Sequence, residues 1–156
     1  MKHAFEIRHL TTVDEMLTTL SVLQAEYPSL TSESYRAMLV EMIPANYGQV
    51  AVFENEMCIG VNGYWINTKI WCGRYLELDN IVVHPSHRSK GVGKIMMDYL
   101  TELAHEKACQ MLALDSYTTN FKAHKLFYNN GFIPRGFHFI KFLTDIDTDA
   151  NGYKVK

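Results

Sequence analysis

Hydrophobic positions along the chain change their spacing several times, and each change marks an element. Phe5 and Ile7 alternate with polar neighbours, which predicts a strand over 4–9. Val13, Met16, Leu17, Leu20 and Leu23 then recur in steps of three and four, the spacing of one helix face. Tyr27-Pro28-Ser29 breaks that pattern, and Ser32-Glu33-Ser34 opens a second helix that runs to Ile43. Pro44 ends it, because proline has no N–H to donate and drives the preceding residue out of the helical region. From Gln49 to Arg74 the pattern is strand-like, with turns at Glu54-Asn55-Glu56 and around Asn67-Thr68-Lys69. A long strand, YLELDNIVV, covers Tyr75 to Val83 and closes at His84-Pro85.

Val92, Ile95, Met96, Tyr99, Leu100 and Leu103 lie on one face of an amphipathic helix. Cys109 to Asp115 predicts a short buried strand. Asn120 is placed to cap a helix that turns Ala123, Leu126 and Phe127 inward and stops at Gly131. Phe132 to Leu143 predicts a final strand pair. The order is β-α-α-β-β-β-α-β-α-β-β, an α/β (α+β) mixture with no internal repeat and no linker. The expectation is a single domain over residues 1–143 followed by a polar tail, 144–156.

Composition narrows the function classes. A chain of 156 residues, 47% hydrophobic and 21% charged, can bury a real core as a soluble protein. A net charge of −2 gives no general attraction to nucleic acid, so any anion site must be local. No apolar run approaches the roughly 20 residues of a membrane helix, and MKHAFEIRHL lacks the apolar stretch of a signal peptide. Cys58, Cys72 and Cys109 are odd in number and lack zinc-binding spacing, which fits reduced thiols in a cytoplasmic protein. The seven histidines form no HExxH pair, so no metal is expected. Asp145, Asp147, Asp149 and Asn151 begin like a calcium loop. Ala150 in place of its glycine and Lys156 in place of its closing glutamate exclude one.

One stretch, RSKGVG at Arg88–Gly93, carries candidate chemistry. It joins a strand to a helix, and the first N–H groups of a helix lack internal acceptors while the helix dipole adds positive potential. Gly91 and Gly93 remove side chains that would hold an anion away, and Arg88 and Lys90 add charge. Taken alone, the hexapeptide fits either a phosphate cradle or a surface turn with solvated basic residues. Neither GxxxxGK[ST] nor GxGxxG is present.

With its flanks, VHPSHRSKGVG (83–93) resembles the acyl-CoA-binding signature of the GNAT superfamily of N-acyltransferases, R/Q-x-x-G-x-G/A after a strand ending in V-x-P. NFKAHKLFYNNGF (120–132) resembles the family's second signature, with its leading Asn, its Phe-Tyr pair and its closing Gly-Phe. The resemblance implies a mixed, mostly antiparallel sheet of six to seven strands with helices on both faces. It implies acetyl-CoA as co-substrate, its pyrophosphate on the backbone of Ser89, Lys90, Gly91, Val92, Gly93 and Lys94 beside Arg88. The pantetheine arm would follow the backbone of Ile81 and Val83, in a slot where two strands splay apart. A strand N–H of Val82 or Val83 would meet the oxyanion. Asn120 corresponds to a residue contacting the cofactor, although capping its own helix explains it equally well.

Acyl transfer to an amine needs a neutral nucleophile, and keeping an amine of pKa about 10.4 neutral at pH 7 costs roughly 4–5 kcal/mol. A base is therefore useful. Glu77 and Asp79 lie two apart on one strand and so share a face, expected to carry Ile81 and Val83 as well. Both have spacings to Arg88 seen for bases in the family; which one acts is open, and a solvated carboxylate pair is the plainer alternative. Tyr128 resembles the family's general acid, against simple packing beside Phe127. His84 and His87 either touch the cofactor or, as is commoner for loop histidines, are simply exposed, and Cys109 is expected to be a core residue rather than a nucleophile. Trp65 and Trp71 either wall a pocket or pack across a hairpin.

The expected activity is transfer of an acetyl group from acetyl-CoA to a primary amine by direct attack in a ternary complex. The acceptor would be a small-molecule or peptide amine, with no nucleic-acid or membrane partner. Its identity would be set by Tyr27–Thr31, Trp65–Trp71 and Phe137–Phe139. The competing expectation is a non-catalytic acyl-CoA-binding sensor that uses the same loop but needs neither Glu77, Asp79 nor Tyr128. A homodimer through the C-terminal strands is left open.

Overall fold

A computed structural model describes residues 5–144. Strand β1 (Glu6–Leu10) leads into α1 (Val13–Leu17), which Thr12 caps: the Glu15 N–H donates to its hydroxyl at 3.3 Å. Glu15 in turn accepts the N–H groups of Thr11 and Thr12 at 2.9 and 3.0 Å, which holds its carboxyl below the usual range. The helix expected to run unbroken to Leu23 is interrupted, and α2 covers only Leu20–Leu23. The Thr18 and Thr19 hydroxyls donate to the carbonyls of Glu15 and Met16 at 2.6 and 2.7 Å, a local alternative to the helical ladder. Thr31 caps α3 (Ser32–Met42), and a single 3-10 turn, Ile43–Ala45, follows at Pro44.

Three long strands come next: β2 (Tyr47–Glu54), β3 (Met57–Lys69) and β4 (Gly73–Val83). Then come α4 (Val92–Glu106), β5 (Met111–Leu114) and α5 (Phe121–Asn129). The sheet runs β1-β2-β3-β4-β5, antiparallel throughout except for the parallel β4–β5 pair. The fold class is therefore the mixed α/β arrangement expected, but with five strands among the described residues rather than six to seven. Phe132 to Leu143 forms no strand. Its composition favours β structure, but a strand forms only where ladder partners and a packing surface exist, and most of these side chains lie exposed. The polar tail and the Asp145–Lys156 stretch lie outside the described residues.

Helices cover both faces. Met16, Val22, Leu39, Ala51 and Val61 are buried on the α1–α3 side, and Val50, Val52, Ile59, Leu76, Met96 and Leu100 on the α4 side. Buried polar groups are satisfied: Gln49 Nε2 donates to the hydroxyls of Tyr35 and Tyr47 at 2.6 and 3.0 Å. Burial pushes both tyrosines above the ordinary phenol range. Gly60 on β3 allows α4 to lie close, since a Cβ there would meet Val92 Cγ1 at 2.6 Å. That close approach seats the N-terminus of α4 at the end of β4.

Candidate active site

The centre of the site is an irregularity in β4. Val61 pairs with Val82 and Gly63 with Asp79, so Asn80 and Ile81 together oppose the single residue Asn62. Asn80 takes φ +50, a left-handed conformation that asparagine tolerates better than most residues. With its amide nitrogen toward the sheet, fully buried Asn62 donates to the carbonyls of Asp79 and Gly63 at 3.1 and 2.8 Å. The Asn80 side chain donates to the Tyr27 hydroxyl at 3.0 Å.

The extra residue shifts the alternation by one. Leu76 and Leu78 pack toward α4, and beyond the bulge Ile81 and Val83 join them, while Val82 packs on the α1–α3 side. Glu77 and Asp79 therefore do not share a face with Ile81 and Val83; that expectation assumed an unbroken period of two. The β4–β5 ladder ends at the Leu78–Leu114 pair, leaving Asp79 to Val83 with no strand neighbour on that side. This unpaired stretch leads straight to the glycine loop.

Glu77 is half-buried opposite Trp65, and its carboxylate has no hydrogen-bond partner among the described residues. Asp79 Oδ2 accepts the Trp65 indole N–H at 3.0 Å, and the Trp65 ring lies 4.8 Å from that of Tyr47. Trp65 is thus held in packing across the sheet. Trp71 stands exposed at the β3–β4 turn with Arg135 5.2 Å above its ring.

His84, followed by the 3-10 turn Pro85–His87, carries the chain from β4 toward the loop. His87 is buried, not exposed as expected: its Nε2 lies 3.0 Å from Glu54 Oε2, and Ser86 Oγ bridges His87 Nδ1 and His84 Nδ1 at 2.8 and 2.7 Å. Arg88 is also committed. Its Nε donates to the Val83 carbonyl at 3.2 Å and its Nη2 pairs with Glu26 at 3.0 Å, so it braces the loop. Lys94 pairs with Asp98 at 2.6 Å, and Lys90 is exposed.

Ser89 and Gly91 both take positive φ, +62 and +84, which turns the loop sharply into α4. Gly91 is the N-cap and offers no side-chain acceptor, so the first N–H groups of α4 face outward without a cap. A Cβ on Gly91 would meet nothing within 4 Å, whereas one on Gly93 would meet Leu126 Cδ2 of α5 at 3.6 Å. The cradle is open and can take a pyrophosphate on backbone N–H groups.

Asn120 caps α5 by accepting the Ala123 N–H at 3.3 Å. Tyr128 is exposed, and its hydroxyl makes no hydrogen bond to Glu77, Asp79 or another described residue, while neighbouring Phe127 turns inward against Phe132. Bulge and loop therefore form one continuous feature, and α5 lies beside the loop through Leu126. Sequence reasoning passed over Asn62, Asn80 and the Glu54–His87 pair. An asparagine amid the apolar run CIGVNGYW was the one local signal available. Among the described residues no cluster of His, Cys, Asp and Glu is placed to hold a metal, and no helix is long and apolar enough to cross a membrane.

The fold is shared with solved acetyltransferases. A solved aminoglycoside N-acetyltransferase AAC(6')-Iy, in complex with CoA, superposes with a TM-score of 0.78 at 20% identity, over 90% of this chain and 96% of that one. The chain belongs to the acetyltransferase (GNAT) family, whose model matches residues 15–132. It is 27% identical to mouse (Mus musculus) thialysine N-epsilon-acetyltransferase over 93 residues, 60% of this chain and 52% of that protein. The match thus spans about half the length of that relative. It is 24% identical to the uncharacterised N-acetyltransferase YhdJ of Bacillus subtilis over 137 residues, 86% of this chain and 96% of that protein.

Proposed function

We propose that this chain, as one domain over residues 1–143, acetylates a primary amine by direct attack in a ternary complex with acetyl-CoA. The observation that carries the reading is the unpaired end of β4 running directly into an uncapped, glycine-led helix mouth. Acetyl-CoA supplies the activated acetyl thioester. The backbone of Ser89, Lys90, Gly91, Val92, Gly93 and Lys94 holds its pyrophosphate, with Arg88 bracing the loop. Ile81 and Val83 offer backbone groups to the pantetheine, and the N–H of Val82 or Val83 steadies the oxyanion. Asn120, whose Oδ1 is used in capping, reaches the cofactor through its amide nitrogen.

Glu77 removes the proton from the incoming amine, directly or through water, because its carboxylate is free. Asp79 is committed to Trp65 and acts by shaping the acceptor side. Tyr128 returns a proton to the departing sulfur. The related proteins named for thialysine and for aminoglycosides both take amine-bearing acceptors, which supports a cationic amine here. The test is thiol release from acetyl-CoA across a panel of lysine-like amines, polyamines, aminoglycosides and peptides. At least one class should accelerate release. Binding of acetyl-CoA with no amine-dependent release would replace the enzyme with a sensor.

A further inference from the structure

Two consecutive residues of the helical layer, Glu26 and Tyr27, hold both ends of the chain segment from Asn80 to Arg88. The chain leaves α2 through a turn at 24–26, and Pro28 disfavours helical backbone at Tyr27, so the helix does not resume. The Tyr27 N–H donates to the Leu23 carbonyl at 2.9 Å, and its carbonyl accepts the Leu30 N–H at 3.0 Å. Gln24 Nε2 closes the loop by donating to the Leu30 carbonyl at 2.8 Å, and the Tyr27 ring packs against the α1–α3 core. From this fixed turn Glu26 reaches Arg88 at 3.0 Å, and the Tyr27 hydroxyl accepts the Asn80 side-chain N–H at 3.0 Å.

Asn80 is the residue that most needs such a hold. At φ +50 it takes a left-handed backbone that an L residue adopts only at a cost. It lies inside the bulge, with no paired residue of its own on β3, and on the other side β5 has already ended at Leu114. Asn62 grips the Asp79 carbonyl at 3.1 Å, one residue short of it. Relaxing φ at Asn80 would rotate the peptide planes that follow, those of Ile81 to Val83.

We propose that Tyr27 is a positioning residue for acetyl transfer: its hydroxyl holds Asn80 left-handed and so aims the backbone of Ile81, Val82 and Val83 at acetyl-CoA. Glu26 steadies the far end of the segment through Arg88. The inference rests on the acetyltransferase reading of the site. The two grips are unequal. Arg88 and Glu26 have side chains 53% and 31% exposed, so water and salt screen their pair, whereas Tyr27 and Asn80 are both partly buried. The loop expected to choose the acceptor, Tyr27–Thr31, thus begins with a residue that sets the cofactor's backbone partners.

The test is calorimetric titration of the full chain with coenzyme A, which needs no acceptor amine. Tyr27→Phe keeps the ring in the core and removes only the hydroxyl, so its Tm should stay within about 5 °C of wild type. Its affinity for coenzyme A should fall about 3- to 10-fold, the loss of one hydrogen bond, with faster amide exchange at Ile81 to Val83. In an Asn80→Gly background, glycine takes the left-handed backbone unaided and has no side chain to hold. There Tyr27→Phe should change the affinity by no more than about twofold, the margin for independent sites. An equal fall in both backgrounds overturns the proposal, since Tyr27 would then act through packing alone. So does wild-type affinity in Tyr27→Phe. A wild-type chain that binds no coenzyme A overturns the acetyltransferase reading, and this inference with it.

Discussion

Gly91→Ala separates a conformational need for glycine from a binding one. Gly91 sits at φ +84 with nothing within 4 Å of an added Cβ, so the protein itself has room for a methyl group. The variant's intrinsic cost is the left-handed backbone, about 1–2 kcal/mol, or a Tm lowered by about 2–8 °C for a chain of this size. Gly131 is the matched control: φ +83, nothing within 4 Å, but at the far end of α5. Gly131→Ala should lose the same stability. In the cradle, the new methyl also displaces the pyrophosphate from at least one N–H group. A hydrogen bond to a charged group contributes about 1.5–3 kcal/mol, so coenzyme A affinity should fall roughly 10- to 150-fold. Calorimetric titration with coenzyme A and a thermal melt on both variants give the comparison. Equal affinities in Gly91→Ala and Gly131→Ala would falsify the cradle assignment. Equal melting losses with unequal affinities support it.

Glu77→Gln should lower kcat by about 10²–10⁴-fold, while Asp79→Asn, which still offers Trp65 an acceptor, stays within about tenfold; steady-state kinetics showing the reverse order would make Asp79 the base. Tyr128→Phe should lower kcat far more than coenzyme A affinity, and an unchanged rate removes Tyr128 from the proton-return role. His87→Phe keeps the bulk of the buried ring but breaks its pair with Glu54; the loop should loosen, raising KM for acetyl-CoA more than it lowers kcat. Burial beside Tyr64 lowers the pKa of His9 below its ordinary 6.5. The unfolded chain then binds that proton first, so His9's contribution is complete above about pH 6.5 and lost as pH falls toward the folded value. Chemical denaturation across pH 4–8 should show this slope, flattened in His9→Gln. Burial also pushes the Cys58 thiol up to about 11, so it should react with a thiol reagent far more slowly than partly exposed Cys72.

Local chemistry was legible in the sequence because it depends on neighbours along the chain. The helix faces at Val92–Leu103, the cap at Asn120, the stop at Pro44 and the strand–glycine–helix arrangement at Arg88–Gly93 all rest on spacing and backbone freedom. All appear in the structure. The boundary errors there were local too: the Thr18-Thr19 hydroxyls broke a helix that the hydrophobic steps made continuous.

What depended on distant partners was not legible. One left-handed residue, Asn80, reversed the facing of Ile81 and Val83, and only pairing with Asn62 across the sheet reveals the bulge. A histidine that looked like a loop residue became buried because Glu54, 33 positions away, lies beneath it. Arg88 became a brace because Glu26 from another layer reaches it. The final strands failed for the same reason in reverse. Alternation sets which side chains would share a face, but a strand exists only where another backbone and an apolar surface meet it, and within the described residues no strand pairs with 133–143. Sequence determined where a glycine-led helix follows a strand and which carboxylates that strand carries; tertiary pairing decided which way the strand's side chains point, since a one-residue shift in a period of two exchanges the two faces of a sheet.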